Sequence, residues 1–297
     1  MIFLIDASVY VFRAYHSVLP DMVDQDNHPV HAVFGFARFI GDLIERMRPR
    51  YMAVAFDQRL ANSYRSRIYP AYKANRDPHP VDLLKQFEHC RQVCRHLGLA
   101  VFTHPEYEAD DIIGTLGCLM RDEGVRSAFI TRDKDLAQLV RDGDLFWDYG
   151  AREQFGYSDI ERYYGVAPER FADYLALTGD CVDNIPGVPG IGPKTAALLM
   201  KEFESLDELY ADLGRVAGLK KLRGARTLSE RLREHRESAY LARQLTRITC
   251  DLELGVGVEG LRRRPPDVSA LGGLYDHLGF GPFLRRQGDR LAQLPLA

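Results

Sequence analysis

MIFLID, residues 1–6, is a short apolar run closed by Asp6. The same design returns in YMAVAFD (51–57), which ends in Asp57, and in SAFITRDKD (127–135), which carries Asp133 and Asp135 just past its apolar run. Such runs have the length of buried strands. In a parallel α/β sheet the carboxyl ends of the strands lie along one edge, where the binding crevice forms. Acids from distant parts of the chain are therefore expected to converge there. The candidates are Asp6, Asp57, Glu108, Asp110, Asp111, Asp133, Asp135, Asp180 and Asp183. So many carboxylates cannot stay ionised in one crevice without cations among them, because each raises the pKa of its neighbours. Hard divalent ions with oxygen ligands, Mg²⁺ or Mn²⁺, meet that need and point to metal-assisted chemistry on phosphate.

Outward from these runs, the first 150 residues alternate strands (2–5, 51–56, 99–103, 126–130, 145–148) with helices (31–47, 81–97, 109–122, 134–140), which predicts an α/β domain with a mostly parallel sheet flanked by helices. In 109–122, Ile112, Ile113, Leu116, Leu119 and Met120 recur at helical spacing. Glu108, Asp110 and Asp111 stand at that helix's N-terminus, where acidic capping and a metal site are both open readings.

Past residue 150 the chain turns to short helices and Gly/Pro-rich turns. GDCVDNIPGVPGIGPKTAALLMKEF (179–203) reads as two helices flanking a tight hairpin of Gly187, Pro189, Gly190, Gly192 and Pro193, with a helix starting near Lys194 and Thr195. Glycines admit close backbone approach, and exposed N–H groups at a helix start bind phosphate oxygens. This is the pattern of a helix-hairpin-helix that grips a duplex backbone without reading bases. Residues 213–247 are strongly basic, with Arg215, Lys220, Lys221, Arg223, Arg226, Arg231, Arg233, Arg236, Arg243 and Arg247. They are either a solvated face or a phosphate-tracking surface. In 57–76, Arg59, Arg65, Arg67, Lys73 and Arg76 interleave with Tyr64, Tyr69 and Tyr72, the equipment for single-stranded nucleic acid. Lys73 and Arg76 are placed to offset charge on a scissile phosphate. Tyr72 is the better stacking candidate, whereas Tyr64 and Tyr69, at helical spacing, read more readily as packing residues.

The 297 residues suffice for a sizeable core, and no apolar run reaches membrane-spanning length. The N-terminal stretch, interrupted by Asp6, reads as a first strand rather than a signal peptide. Five cysteines without a CxxC pair argue against a disulfide framework or zinc ribbon and suit a reducing cytoplasm. Setting the nine acids aside moves the formal charge from −3 to +6, so the remainder of the surface suits a polyanion.

LIDASVYVFRAYH, FD followed by YPAYKANR, EADDIIGTL, TRDKDLAQLV and GDCVDNIPGVPGIGPKTA resemble, in order and over roughly residues 1–285, the bacterial and phage 5′-nucleases. This is the flap endonuclease family, which includes the 5′→3′ exonuclease domain at the front of bacterial DNA polymerase I. The resemblance implies a PIN-like (resolvase-like) catalytic domain over 1–165 and a helix-hairpin-helix (helix-three-turn-helix) domain over 166–297. It implies one metal site from Asp6, Asp57, Glu108, Asp110 and Asp111, and a second from Asp133, Asp135, Asp180 and Asp183, with Asp111 close to both. Lys73 matches the family's active-site lysine, while Arg76, Tyr72 and Arg13 match residues that hold the DNA end. Arg65 joins them from the basic segment, and Gly187, Gly190, Ile191, Gly192, Lys194 and Thr195 form the duplex grip, with a bound K⁺. The implied activity is a two-metal 5′→3′ exonuclease and 5′-flap endonuclease, with two Mg²⁺ or Mn²⁺ about 4 Å apart. Its substrates are DNA 5′ ends or flaps beside a duplex, RNA-primer hybrids included, in replication-intermediate processing and repair. A standalone, nucleoid-associated cytoplasmic monomer working beside a DNA polymerase is expected, since the chain closes at LYDHLGFGPFLRR with no polymerase domain. Cys181, Val182 and Arg132 depart from the family pattern. Two rivals remain: a PIN-like ribonuclease, which has no need of the hairpin, and a non-catalytic junction-binding protein, which tolerates lost acids.

Overall fold

The computed structural model describes residues 1–58, 63–222 and 224–295. Strands β1 (Ile2–Asp6), β2 (Tyr51–Ala55), β3 (Ala100–Phe102), β4 (Ser127–Ile130) and β5 (Leu145–Asp148) run parallel, and β6 (Glu153–Phe155) pairs antiparallel with β5. The order β3-β2-β1-β4-β5-β6 places β1 between β2 and β4. Connections therefore leave β1 toward both sides, and a crevice opens beyond its carboxyl end. The mostly parallel, helix-flanked sheet expected from the sequence is present.

Alternation along β1 explains how the sheet is covered. Ile2 and Leu4 enter a core shared with Ile112, Ile113, Leu116 and Met120 of the helix Ala109–Asp122. Phe3 and Ile5 enter a second core beneath the helices Ala7–Ser17, His31–Met47 and Val81–His96. Burial on both faces is why the strands read as unbroken apolar runs. Three local features differ from the sequence reading. The helix Ala7–Ser17 begins directly at the end of β1, where Asp6 both closes the strand and caps the helix by accepting from Val9 N at 3.4 Å. Lys134–Leu139 is a 3-10 helix rather than an α-helix, capped by Asp133 accepting from Asp135 N at 3.0 Å. The three-residue β6 is too short to show any period.

In the second half, the helices Phe171–Thr178 and Pro193–Glu202 bracket the glycine hairpin, with Pro193 at the first helical position. Helices Leu213–Ala217, Ala225–Glu234 and Arg236–Thr246 follow. Leu175, Leu199, Phe203, Leu232 and Leu245 join the core that also takes Ile2 and Leu4, so the helical region is packed onto one face of the sheet. The last two helices pack apart from this helical region. The helices Val268–His277 and Pro282–Ala292 return to the opposite face, where Leu271, Tyr275 and Leu284 enter the second core. Gln287 Nε2 and Arg290 Nε donate to Glu45 there at 3.1 and 2.6 Å. Among the described residues, no helix is long and apolar enough to cross a membrane.

Candidate active site

Asp6 ends β1, Asp57 lies just past β2, Asp133 and Asp135 follow β4, and Glu108 and Asp110 open the helix Ala109–Asp122. Asp180 and Asp183 come from the loop between the two hairpin helices. Each is fixed by its surroundings. Asp6 Oδ2 accepts from Thr131 Oγ1 at 2.9 Å, and Asp57 Oδ1 accepts from Ala109 N at 2.8 Å. Asp180 Oδ1 accepts from Val182 N at 2.9 Å. Burial first, then Asp57 and Asp133, pushes Asp6 up to about 8. Asp135 is raised to about 8 by burial and by Asp133, while burial, Asp133, Asp6 and Asp57 hold Asp110 well above the carboxylate range. Asp133 acts on Asp6, Asp110 and Asp135 alike, so the acids form one electrostatic group.

That group requires cations, and the chain's own supply is partial. Lys73 Nζ donates to Glu108 Oε2 at 2.9 Å and stands 3.5 Å from Asp183, Arg76 pairs with Asp183, and Lys134 bridges Asp180 and Asp135. Burial alone would lower Lys73, but Glu108, Tyr72 and Asp183 keep it firmly protonated. Two buried carboxylate oxygens of this group lack any hydrogen-bond partner, Glu108 Oε1 and Asp135 Oδ1, the latter 3.2 Å from Lys134 Nζ; elsewhere among the described residues Ser127 Oγ and Tyr210 Oη are also unpartnered. Buried orphan acceptors are rare, and a cation held by the group would satisfy both carboxylates. The donor set is therefore all-carboxylate and fits hard divalent cations. Among the described residues, the one trio of possible ligands whose atoms all lie within 4.8 Å of one another is found elsewhere, at Asp24, Asp26 and His28. It is a surface turn in which Asp24 Oδ1 already accepts from Asp26 N and His28 N.

Three assignments need correction. Asp111 is fully buried, and both oxygens are saturated: Oδ2 accepts from Arg65 Nη1 (2.6 Å) and Glu108 N (3.1 Å), Oδ1 from Arg65 Nη2 (2.9 Å) and Thr249 N (2.8 Å). It is a capping and ion-pair residue with no lone pair left for a metal, so the capping reading wins at this position. Arg65, 3% exposed, spends its remaining donors on the Leu245 and Arg247 carbonyls, so it is an internal tie rather than a DNA contact. Tyr72, 6% exposed, is unavailable for base stacking, and its hydroxyl donates to Glu108 at 3.0 Å and Asp183 at 3.3 Å.

Segment 71–76 is stitched to the hairpin-region loop. Lys73 N donates to Asp183 O at 3.0 Å, Asn75 Nδ2 to Cys181 O at 3.1 Å, and Asn184 Nδ2 to Ala71 O at 2.7 Å. Lys73 and Asn184 both hold left-handed backbones, φ +53° and +56°, at this seam. For a lysine such a conformation persists only where surroundings over-determine it. Arg13 lies outside the acid group: its ion-pair partner is Asp148, at 3.5 Å, which Arg132 also holds at 2.9 Å.

In the hairpin, Gly190 (φ +79°), Gly192 and Lys194 are exposed, and Thr195 is half-buried. Ile191 is a core residue whose N–H donates to Val188 O at 3.0 Å, and Gly187 is needed because a side chain there would strike the Thr178 backbone. Those two shape the hairpin from inside. Lys194, Thr195, Lys221, Thr227 and Arg231 line one concave surface of about 510 Å³ beside Gly190. The basic run is divided: Arg215 pairs with Glu208 at 2.9 Å, Arg243 with Asp207 at 2.7 Å, and Arg236 lies over Tyr240. Arg59 and Arg223 lie outside the described residues. The sequence reading passed over Lys134 and Thr131, and it named Arg231 only within the basic run. The T-x-D-K-D spacing, which begins one residue past a strand and puts a cation between two acids, was the available signal for the first two. Arg231 had none beyond its charge.

Comparison with known proteins defines the class. Residues 1–165 match the 5'-3' exonuclease N-terminal resolvase-like domain, and residues 166–269 the 5'-3' exonuclease C-terminal SAM fold. The chain belongs to the 5'-3' exonuclease family. It is 31% identical over 270 residues to a 5'-3' exonuclease of Aquifex aeolicus, covering 91% of this chain and 89% of the relative. DNA polymerase I of Rhizobium leguminosarum is 35% identical over 295 residues, 97% of this chain but 28% of the polymerase, so the chain spans under a third of that relative. The fold matches T5 5'-exonuclease with bound zinc ions (TM-score 0.66, 18% identity, 99% and 98% of the two chains) and the catalytic core of Rad2 in complex with DNA substrate (0.61, 17%, 100% and 92%).

Proposed function

We propose that this chain is a metal-dependent nuclease that hydrolyses DNA phosphodiesters at 5′ ends and at 5′ flaps beside a duplex. The observation that carries this reading is the pair of orphaned buried oxygens, Glu108 Oε1 and Asp135 Oδ1, one in each half of an eight-carboxylate group flanked by cations. Asp6, Asp57, Glu108 and Asp110 would hold one divalent ion, and Asp133, Asp135, Asp180 and Asp183 a second, with Mg²⁺ or Mn²⁺ suited to the all-oxygen set. Such ions supply an activated water and charge stabilisation at a phosphoryl centre. The chain's own groups do the rest. Lys73 and Arg76 face the scissile phosphate and offset its added charge. Tyr72 orients Glu108 and Asp183 through its hydroxyl, and Thr131 holds Asp6.

Gly190, Gly192, Lys194 and Arg231 would take the duplex backbone, with K⁺ a fitting monovalent ion at the hairpin, and so select structure over sequence. RNA-primer hybrids, action as a monomer and work alongside a DNA polymerase belong to the same reading. The test is cleavage of a labelled 5′-flap DNA with Mg²⁺ by Asp135→Ala and Asp183→Ala. Near-complete loss supports the assignment, and undiminished cleavage by both would sink it. Preference for single-stranded RNA over flap DNA would favour the ribonuclease rival.

A further inference from the structure

Cys118 and Cys250 are far apart in sequence but meet where the helical region rests on the sheet domain. Cys118 lies on the outer part of the helix Ala109–Asp122, and Cys250 on the segment that follows the helix Arg236–Thr246. Cys250 Sγ donates to Ile248 O at 3.7 Å, and each of the two thiols acts on the other's titration across this seam. The segment approaches this closely because Gly114, one helical turn before Cys118, has no side chain. A Cβ there would lie 3.2 Å from Cys250 Sγ and 2.9 Å from Thr249 O. Arg121 Nη1 stands 3.7 Å from Cys118 Sγ. Both cysteines are only partly buried, and Cys250 lines an open cleft of about 1270 Å³ with Arg141, Arg243 and Arg247.

We propose that Cys118 and Cys250 form a peroxide-sensitive thiol pair that closes to a disulfide, Cys118 as the attacking sulfur and Cys250 as the resolving one. In the first step the Cys118 thiolate attacks a peroxide oxygen. An S–O bond forms, the O–O bond breaks, and the departing hydroxide takes a proton to become water. Sulfur is oxidised by two electrons and the peroxide is reduced. In the second step the Cys250 sulfur attacks Cys118. The S–S bond forms, the S–OH bond breaks, and hydroxide leaves as water with the thiol proton.

The surroundings favour these roles. The two thiols titrate as a unit. Cys118 is lowered to about 6 by the hydrogen bond from Cys250 and by Arg121 and Arg141, while Cys250 is pushed up. The other cysteines lack this arrangement: Cys90 and Cys94 are fully buried with raised pKa values, and Cys181 sits alone on the exposed hairpin-region loop. The bond fastens the strap that donates Thr249 N to Asp111 Oδ1 and accepts Arg65 at the Leu245 and Arg247 carbonyls. It is chemically separate from phosphodiester hydrolysis, so its test stands or falls apart from the nuclease reading.

The experiment treats the full chain with one equivalent of hydrogen peroxide and maps thiols by mass spectrometry. The expected product has lost two of its five free thiols and yields a cross-linked Cys118–Cys250 peptide that dithiothreitol reverses. Cys250→Ser should leave a dimedone-reactive sulfenic acid on Cys118, and Cys118→Ser should abolish the cross-link. In the untreated protein at pH 6, Cys118 should alkylate about tenfold faster than N-acetylcysteine in the same tube, the thiolate fraction outweighing lower nucleophilicity. Alkylation of Cys118 no faster than N-acetylcysteine, or peroxide products confined to Cys181-linked dimers, would overturn the proposal.

Discussion

The acids at the sheet edge and the cations of segment 64–76 occupy the same few turns of structure yet were placed by different forces. A carboxylate at a strand's carboxyl end has its direction set by the strand, so Asp6, Asp57 and Asp133 reach the crevice almost regardless of their neighbours. A long basic side chain on a short helix can turn either way, and its nearest unpaired acid decides. On the helix Tyr64–Ile68, Arg65 turns inward to Asp111, while Arg67, two positions on, stays at the surface with Glu106 at 2.9 Å. Asp110 and Asp111 repeat the lesson within one helix turn: the first joins the acid group, and the second is consumed by Arg65 and two backbone N–H groups.

The sharpest way to break this comparison is to mutate the neighbours. Asp110→Asn should cut flap cleavage about a thousandfold, the several kcal/mol of a lost metal-site charge. Its urea midpoint should hold or rise, because one member of a repelling group is neutralised. A cleavage rate within about threefold of the parent (under ~1 kcal/mol) would show that Asp110 is no part of the centre. Arg65→Ala should instead cost about 3–5 kcal/mol of stability by leaving Asp111 buried and unpaired. Urea unfolding measures this, and an unchanged midpoint would mean that Asp111 finds water or another partner. Arg231→Ala should weaken flap-DNA binding equally for all sequences and reduce the slope of log K against log salt by about 0.9, one phosphate contact. A retained slope would remove Arg231 from the duplex surface. Smallest of all, Arg67→Ala should leave both the urea midpoint and the binding slope unchanged, because its pair with Glu106 is exposed and screened.

What the sequence disclosed follows the same division. The strands, the helix Ala109–Asp122 and the hairpin helices were legible because apolar period and Gly/Pro punctuation are local signals. The helix Ala7–Ser17 was hidden because the strand and helix share Asp6, leaving no polar break between them. The fate of Asp111 was hidden because its partners, Arg65 and Thr249, lie 46 and 138 residues away. Tyr72 was misread for a related reason: a tyrosine among basic residues looks exposed until Glu108 and Asp183 arrive to accept its hydroxyl.

The stitching of residues 71–76 to 181–184, with Arg65 resting on carbonyls of residues 245 and 247, bears on how the protein is made. A nascent chain that has emerged only as far as β6 carries six acids of the group but neither Asp180 nor Asp183, and it holds Arg65 without two of its acceptors. On the proposed reading, cleavage waits for the hairpin region: the contacts that bring Asp180 and Asp183 to the acids are among those that complete the fold.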